Sequence, residues 1–225
     1  MMLDTIVSFI EKVVEKHRQR STVEVVNHLG HSFKIDPQVF SPFIAPSGYL
    51  SFSLVAQPIF FGKHVLDVGC GAGIFASLTA ASGATRVVGV DINPVAVENA
   101  RRNALSLEVD SLVEVRTGDL FEPILDDEAF DIIFADLPFT SGEPRDLLDR
   151  AFYDPDLTAI RRFLREVPEI LARASPGARA FLCLSDFEPL EADEMNTQGF
   201  IRSRVYLSIH LPEVTLNLYE LTLEV

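Results

Sequence analysis

Apolar and polar positions alternate along the chain with two periods, which predict helices in some stretches and strands in others. Apolar residues recur at helical spacing between Leu3 and Val14, so an amphipathic first helix should run to about Arg20. The runs TVEVVNH and HSFKID flank Leu29-Gly30 and predict a β-hairpin. A proline-punctuated segment then leads to a predicted short helix near Leu50 to Gln57.

From Lys63 onward, short apolar runs alternate with helical patterns. Strands are predicted near 64–68, 86–91, 112–116, 130–135 and 179–184. Alternation of this kind gives an α/β fold with a parallel, doubly wound sheet and helices on both faces. A longer helix, Leu157 to Ala174, should end at Ser175-Pro176-Gly177, and the tail contains two β-rich runs broken at Leu211-Pro212.

The stretch VLDVGCGAG, Val65 to Gly73, predicts a ligand site. A buried strand there runs into glycines at alternate positions, so the turn lets a ligand approach the backbone, and the helix Ile74 to Ala81 should present free N–H groups to it. The dinucleotide fingerprint would need glycine at Ile74, and Asp67 would repel a pyrophosphate but attract a cationic amino group. The ligand should therefore be zwitterionic, which opposes a nicotinamide oxidoreductase.

Four ordered motifs resemble those of the class I S-adenosylmethionine-dependent methyltransferases. VLDVGCGAG is similar to their first motif, GVDINPVAVENARRNA to their second strand and helix, and GDLF to the acidic loop after their third strand. The resemblance implies S-adenosyl-L-methionine as cofactor and a Rossmann-like, mostly parallel seven-stranded sheet closed by a C-terminal antiparallel hairpin. Asp91 would bind the ribose hydroxyls, and Asp119 and Leu120 would bind the adenine. The implied cofactor-binding residues are Asp67, Gly69, Cys70, Gly71, Gly73, Asp91, Ile92, Asp119, Leu120 and Asp136.

The fourth motif, FADLPF, is similar to the (N/D)-P-P-(Y/F) motif of one branch, which includes glutamine and amine N-methyltransferases. In that branch the acid or amide and the next carbonyl accept hydrogen bonds from an NH₂ group, and the aromatic ring stacks on the substrate. The resemblance therefore implies Asp136, Pro138 and Phe139 as catalytic residues, with the Asp136 charge stabilising positive charge on nitrogen. Leu137 replaces the usual second proline. A helix-capping Asp136 and a core Phe139 are the structural alternatives.

The segment P-x-V-F-x-P, residues 37–42, resembles the small-domain methyltransferases, in which it lies over the active site. This implies an N-terminal helix, hairpin and lid at 1–60 and a cofactor-binding domain at 61–225. Phe43, Tyr49 and Ser51, with Phe139, are then candidate substrate contacts. Plain packing is the alternative for each of them.

Composition limits the partners. The 225 residues carry a net charge of -14, which disfavours nucleic acid. No apolar run reaches the length of a membrane span and no signal peptide is recognisable, so we expect a cytoplasmic protein without a membrane partner. Cys70 and Cys183 are expected to be reduced, and the five histidines have no metal-ligand spacing, so no metal is expected.

The combined prediction is N-methylation of an amine or amide in a small molecule or a protein side chain. Two alternatives remain: a cofactor-binding module that has lost catalysis and serves a partner, and an RNA base N-methyltransferase. The sequence does not define the acceptor or the oligomeric state.

Overall fold

The computed structural model describes residues 2–187, 190, 195 and 201–224, with side chains from Ile6 onward in the first helix and from Arg202 onward in the penultimate strand. The helices are α1 (Met2–Arg18), α2 (Gly48–Val55), α3 (Ile74–Ala81), α4 (Pro94–Ser106) and α5 (Thr158–Ala172). The strands are β1 (Glu24–His28), β2 (His31–Ile35), β3 (His64–Val68), β4 (Arg86–Asp91), β5 (Val113–Thr117), β6 (Ile132–Ala135), β7 (Arg179–Ser185), β8 (Ile201–His210) and β9 (Thr215–Leu223).

Within these residues a seven-stranded sheet has the order β5-β4-β3-β6-β7-β9-β8. Strands β3 to β7 pair in parallel, while β9 pairs antiparallel with both β7 and β8. The predicted Rossmann-like sheet with a closing antiparallel hairpin is confirmed. Predicted bounds differ by a few residues: β6 starts at Ile132 rather than 130, and α1 ends at Arg18 rather than Arg20.

The sheet is covered on both faces because successive residues of its buried strands point in opposite directions. Val65 belongs to the core with α3 and α4, whereas its neighbour Leu66 belongs to the core with α5. Phe33 of β2 and Leu50 of α2 are fully buried in the same core as Val65. The N-terminal part of the chain thus shares the core of the sheet, and a domain boundary near residue 60 stays a prediction.

The N-terminal hairpin is fastened to α4 by two fully buried amide side chains. Asn99 Oδ1 accepts a hydrogen bond from the Asp36 N–H at 2.8 Å, and Asn99 Nδ2 donates to the Lys34 carbonyl at 2.7 Å. One turn later, Asn103 Oδ1 accepts from the Lys34 N–H at 2.9 Å and its Nδ2 donates to the same carbonyl at 2.8 Å. These side chains satisfy the backbone edge of β2 as a third strand would.

Helix α1 is joined to the rest of the protein by a buried histidine and a charged network. His17 lies between Phe40 and Phe152, with ring centroids 5.3 and 4.8 Å away. Arg18 forms an ion pair with Asp149, a fully buried carboxylate that also accepts from Arg145 Nε at 2.5 Å. No helix in the described part of the chain is both long and apolar enough to cross a membrane.

Candidate functional site

A cavity of about 770 Å³ opens at the carboxyl edge of the sheet, where β3, β4, β5 and β6 end. Its volume lies within the range of about 300–1,000 Å³ that is usual for small-molecule sites. Most of the predicted site residues line it: Asp67, Gly69, Cys70, Gly71, Asp91, Ile92, Asp119, Leu120, Asp136, Pro138, Phe139 and Ser51.

The loop after β3 is built from glycines in the left-handed region. Gly69, Gly71 and Gly73 have φ of 76°, 53° and 70°, which a side chain would disfavour. A Cβ added to Gly71 would meet no described atom within 4 Å, so this position leaves room for a ligand. Gly73 differs, because its added Cβ would lie 2.5 Å from Ala100 Cβ. Gly73 therefore permits α3 and α4 to pack closely and does not appear among the described residues that line the cavity.

Asp67, on β3, is a buried acid with incomplete hydrogen bonding. Its Oδ2 has no hydrogen-bond partner among the described residues. Burial, followed by the charges of Asp91 and Asp136, raises the pKa of Asp67 to about 8. A cationic group placed here would supply the missing hydrogen bond and favour the ionised carboxylate.

Asp91, at the end of β4, is held rigidly by backbone amides. Its Oδ2 accepts from the Gly71 N–H and its Oδ1 from the Asn93 N–H, both at 2.8 Å. Burial raises its pKa, and these two hydrogen bonds oppose the rise. Each carboxylate oxygen keeps a further lone pair, so the group can still accept from two ribose hydroxyls.

Asp119 follows β5 and pairs with a residue that the sequence analysis did not single out. Arg162 Nη1 of α5 lies 2.5 Å from Asp119 Oδ2. The side chains of Asp119 and Arg162 are 35% and 27% exposed, so the pair sits at the rim of the cavity that both residues line. The ion pair fixes the carboxylate through one oxygen. Leu120 next to it has φ of 51°, an uncommon conformation for a residue with a side chain.

Asp136, immediately after β6, is enclosed by groups from separate parts of the chain. Burial is the dominant effect and raises its pKa to about 6, while the side chains of Ser47 and Cys183 oppose the rise. Leu137 is buried, and its Cδ2 lies 3.5 Å from the position of a Cβ on Gly69. Leucine at this place packs over the first glycine of the loop, which restrains the backbone in the absence of proline.

Two predicted substrate contacts lie elsewhere. Phe43 packs against His28 and Phe52, with ring centroids 5.7 and 5.0 Å away. Tyr49 is 61% exposed on α2. Neither belongs to the described lining of the cavity. On α2, which starts at Gly48, Ser51 rather than Tyr49 turns inward. Ser51 Oγ donates to the Gly48 carbonyl at 2.8 Å, which gives it a packing role as well.

Several cavity residues were not foreseen. Apolar side chains of α1 line the cavity, and so does much of the segment 143–155. The apolar stripe of α1 indicated that the helix covers something, but not what it covers. Nothing in the sequence marked Ser47, which directly precedes Gly48, as a residue of the cavity wall. These unforeseen lining residues include Phe9, Ile10, Ser47, Arg145, Arg150 and Arg162.

The donor set fits S-adenosylmethionine. The unpartnered Asp67 oxygen can accept a hydrogen bond from its ammonium group, and Asp91 can accept hydrogen bonds from its ribose hydroxyls. The open space at Gly71 leaves room for the ligand beside the backbone. In the described residues no cluster of His, Cys, Asp or Glu has the arrangement of a metal site.

Comparisons with known proteins agree. The family model described as "Methyltransferase domain" matches residues 59–175, more than half of the chain. The ribosomal protein L11 methyltransferase of Heliobacterium modesticaldum is 36% identical over 104 residues, which are 46% of this chain and 32% of that protein. The chain thus spans about a third of the length of this relative.

Two solved structures share the fold. The ribosomal protein L11 methylase of Lactobacillus delbrueckii subsp. bulgaricus has a TM-score of 0.57 at 14% identity, covering 77% of this chain and 78% of that one. The M. jannaschii tRNA m1G37 methyltransferase has a TM-score of 0.61 at 14% identity, covering 90% and 55%. With the family match and the cavity at the glycine loop, the chain belongs to the methyltransferase domain family, as a class I S-adenosylmethionine-dependent methyltransferase domain.

Proposed function

We propose that this protein transfers a methyl group to the nitrogen of an amine on a protein. The observation that carries the proposal is the Asp136 carboxylate, held at the end of β6 on the wall of the cofactor cavity. A carboxylate in this position can accept a hydrogen bond from the reacting nitrogen and stabilise the positive charge that develops on it.

The charge of the cavity wall favours a cationic or neutral amine over a phosphate-bearing acceptor. Among its described residues are seven carboxylates and three arginines. Two of the arginines are already paired, Arg145 with Asp149 and Arg162 with Asp119. A polyanion would meet a wall of like charge. The carboxylates are Asp67, Asp91, Asp119, Asp136, Glu143, Asp146 and Asp154, and the arginines are Arg145, Arg150 and Arg162.

The protein supplies position and electrostatics to the reaction. S-adenosylmethionine, when bound, provides the methyl group on its sulfonium. Asp136 and the backbone carbonyl of Leu137 would each accept a hydrogen bond from the amine, which directs the nitrogen lone pair along the line of transfer. The amine would react in its neutral form, and the proton that its nitrogen sheds after gaining the methyl group would pass to solvent water. Phe139 would stack against the acceptor.

Assignment to the (N/D)-P-P-(Y/F) branch is part of the proposal. Asp136, Pro138 and Phe139 match its pattern. Leu137 packs over Gly69 and can thereby restrain the backbone at the position where the pattern has a proline. A protein acceptor is favoured because the relatives aligned with residues of this chain are named for a ribosomal protein. The fold is also shared with a tRNA methyltransferase, so RNA is the second acceptor to test.

The experiment offers S-adenosyl-L-[methyl-³H]methionine with three acceptors in parallel: purified ribosomal protein L11, total tRNA, and a mixture of small primary amines. We expect label in the protein fraction. Asp136→Ala should lower the rate about a hundredfold, since loss of one preorganised electrostatic contact typically has that effect. Asp110→Ala is the matched control, because Asp110 is exposed and lies outside the described lining of the cavity.

Label in tRNA or in the small amines would contradict the protein acceptor and identify the alternative. Cofactor binding without label in any acceptor would instead support the non-catalytic module. A wild-type rate in Asp136→Ala would refute the role of this carboxylate.

A further inference from the structure

We infer that Arg162 of α5 is a positioning residue for the cofactor, which holds the Asp119 carboxylate in the orientation that selects the adenine base. The inference rests on the predicted contact between Asp119 and the adenine, and not on the proposed role of Asp136. Arg162 lies outside the four sequence motifs and comes 43 residues after Asp119. It adds a residue of α5 to a cofactor site that the sequence assigned to strands β3 to β6 and the loops after them.

The Asp119 carboxylate is held from outside its own loop. Arg162 Nη1 donates to Asp119 Oδ2 at 2.5 Å, and within the described part of the chain no other hydrogen bond to this carboxylate is present. Asp91 differs, because the backbone N–H groups of Gly71 and Asn93 fix both of its oxygens. Asp119 therefore depends on Arg162 for an orientation that Asp91 obtains from the backbone.

The backbone that carries Asp119 is fixed by close packing. A Cβ on the preceding residue, Gly118, would lie 2.6 Å from Pro123 Cγ, so a larger residue would force this turn apart. The Gly118 N–H donates to the Asp91 carbonyl at 3.0 Å, which joins the loop to the end of β4. With the backbone fixed, Asp119 keeps only the rotation of its side chain. The ion pair with Arg162 removes that rotation.

Helix α5 presents the guanidinium group of Arg162 in a defined direction. The next residue, Phe163, is fully buried and stacks on Phe121 of the loop after β5, with ring centroids 5.4 Å apart. Two further carboxylates flank the guanidinium: Nη2 lies 3.7 Å from Glu122 Oε1, and Nε lies 3.5 Å from Glu166 Oε1. Because the guanidinium is planar, it cannot turn without weakening these ion pairs.

This arrangement leaves one oxygen of Asp119 to recognise the base. Oδ2 accepts from Arg162, so Oδ1 remains as an acceptor at the rim of the cavity that both residues line. The amino group of adenine donates to a carboxylate, whereas the carbonyl that replaces it in hypoxanthine presents an oxygen that a carboxylate repels. A fixed Asp119 therefore selects adenine. Without Arg162 the side chain must be immobilised when the ligand binds, which weakens the selection.

The test compares the affinities of the full chain for S-adenosylhomocysteine and S-inosylhomocysteine, which carries that carbonyl, by titration calorimetry. We expect the wild type to prefer the adenosyl ligand by about tenfold or more. Arg162→Gln should lower this preference about two- to tenfold, the usual effect of having to immobilise a side chain on binding. A merely structural role would weaken both ligands equally, so an unchanged preference in Arg162→Gln would overturn the inference.

Arg165→Gln is the matched control. Arg165 lies on the same helix, pairs with the same Glu166 at 3.6 Å and is outside the described lining of the cavity. Its substitution removes an ion pair of α5 without touching Asp119, so the preference for the adenosyl ligand should stay at the wild-type value. A loss equal to that of Arg162→Gln would assign the effect to the charge of the helix and contradict the inference.

Asp119→Asn separates the role of Arg162 from that of Asp119 itself. An amide can donate to the carbonyl as well as accept from the amino group, so this variant should lose most of the preference. Adding Arg162→Gln should then lower it no further, and a further loss would show that Arg162 acts on the base directly. A preference retained in Asp119→Asn would refute the adenine contact, and the inference with it. None of these outcomes concerns Asp136, because neither ligand carries a methyl group to transfer.

Discussion

Gly73 and Ala100 are in such close contact that a Cβ on Gly73 would lie 2.5 Å from Ala100 Cβ and 2.9 Å from its Cα. The third glycine of the loop therefore sets the distance between α3 and α4, while the ligand-facing positions are Gly69 and Gly71. Helix α4 begins three residues after Asp91, so the position of this acid depends on the same contact.

Gly73→Ala should destabilise the protein by more than 1–2 kcal/mol, roughly the strain of a left-handed alanine alone, because the clash adds to it. Chemical denaturation would measure the loss. Adding Ala100→Gly should recover the part that arises from the clash but not the backbone strain. Equal stability of the single and double mutants would show that the contact between Gly73 and Ala100 does not contribute to the loss of stability.

Asp67 should make cofactor binding dependent on pH. Because its pKa is about 8 without a bound cation and only the ionised form attracts an ammonium group, affinity for S-adenosylhomocysteine should fall as the pH drops below 8, by up to about tenfold per unit. Calorimetry in buffers of different ionisation enthalpy would detect the proton that the protein releases on binding.

Asp67→Asn should bind weakly and without that released proton. Wild type and Asp67→Asn bind the same ligand, so the difference between their pH profiles isolates the contribution of the protein. Identical pH profiles of the two proteins would contradict the assignment of Asp67 to the ammonium group.

Glu128 should contribute to stability far from the cavity. It is buried and bound by Arg116 through two hydrogen bonds of 2.7 and 2.8 Å, and it also pairs with Arg86. The Arg116 and Arg86 side chains outweigh burial and lower the pKa of Glu128 to about 2. Glu128→Gln should cost about 3 kcal/mol at neutral pH, since it breaks a buried pair.

The stabilisation by Glu128 has a defined pH range. Its folded pKa lies below the unfolded value of 4.5, so the contribution is present above pH 4.5 and is lost as the pH falls toward 2. Denaturation curves at pH 7 and pH 3 should therefore show a smaller difference between wild type and Glu128→Gln at the lower pH. Glu98→Gln, at an exposed position with only a 3.9 Å contact to Arg101, is the matched control.

His17 should also reduce stability as the pH falls, but as a buried neutral base and over a higher pH range. Its Nδ1 donates to the Val13 carbonyl at 2.8 Å and its Nε2 accepts from the Ser41 N–H at 3.0 Å, an assignment that follows from this network. Burial lowers its pKa below the usual 6.5, so the unfolded chain binds a proton first as the pH falls. Stability should decline below pH 6.5, and that decline should be smaller in His17→Gln.

His64→Gln, the same substitution at an exposed position, is the matched control. A wild-type slope between pH 5 and 6.5 in His17→Gln would assign the acid sensitivity to another group.

The sequence predicted the parts of this fold that follow from local pattern. Helix α3 and strand β3 have the predicted bounds because glycines end an apolar run there. Asp67, Asp91 and Asp136 line one cavity because parallel strands bring their carboxyl ends to one edge. The roles of these residues in binding and catalysis stay predictions, as does a cytoplasmic location.

The features that were not predicted depend on packing between distant segments. Arg162 reaches Asp119 from a helix 43 residues later in the chain, and Ser47 lines the same cavity as Asp136 from a turn before the sheet begins. Phe43 and Tyr49 were predicted as substrate contacts from their residue type. The sequence did not show which side of this segment would face the cavity. Tyr49 and Ser51 are two residues apart and lie on opposite sides of α2, so the phase of the helix decides which of them turns inward.

The amides of Asn99 and Asn103 have a consequence for recombining this protein with its relatives. They form hydrogen bonds with backbone groups of Lys34 and Asp36 and not with side chains. The side chains of the hairpin can therefore vary as long as α4 keeps both asparagines. A chimaera that exchanges residues 1–60 without α4 would leave either these buried amides or the incoming strand edge unpaired, and each such group costs about 1–3 kcal/mol. The crossover point that preserves folding therefore lies after Ser106, the end of α4, and not at the start of the catalytic sheet.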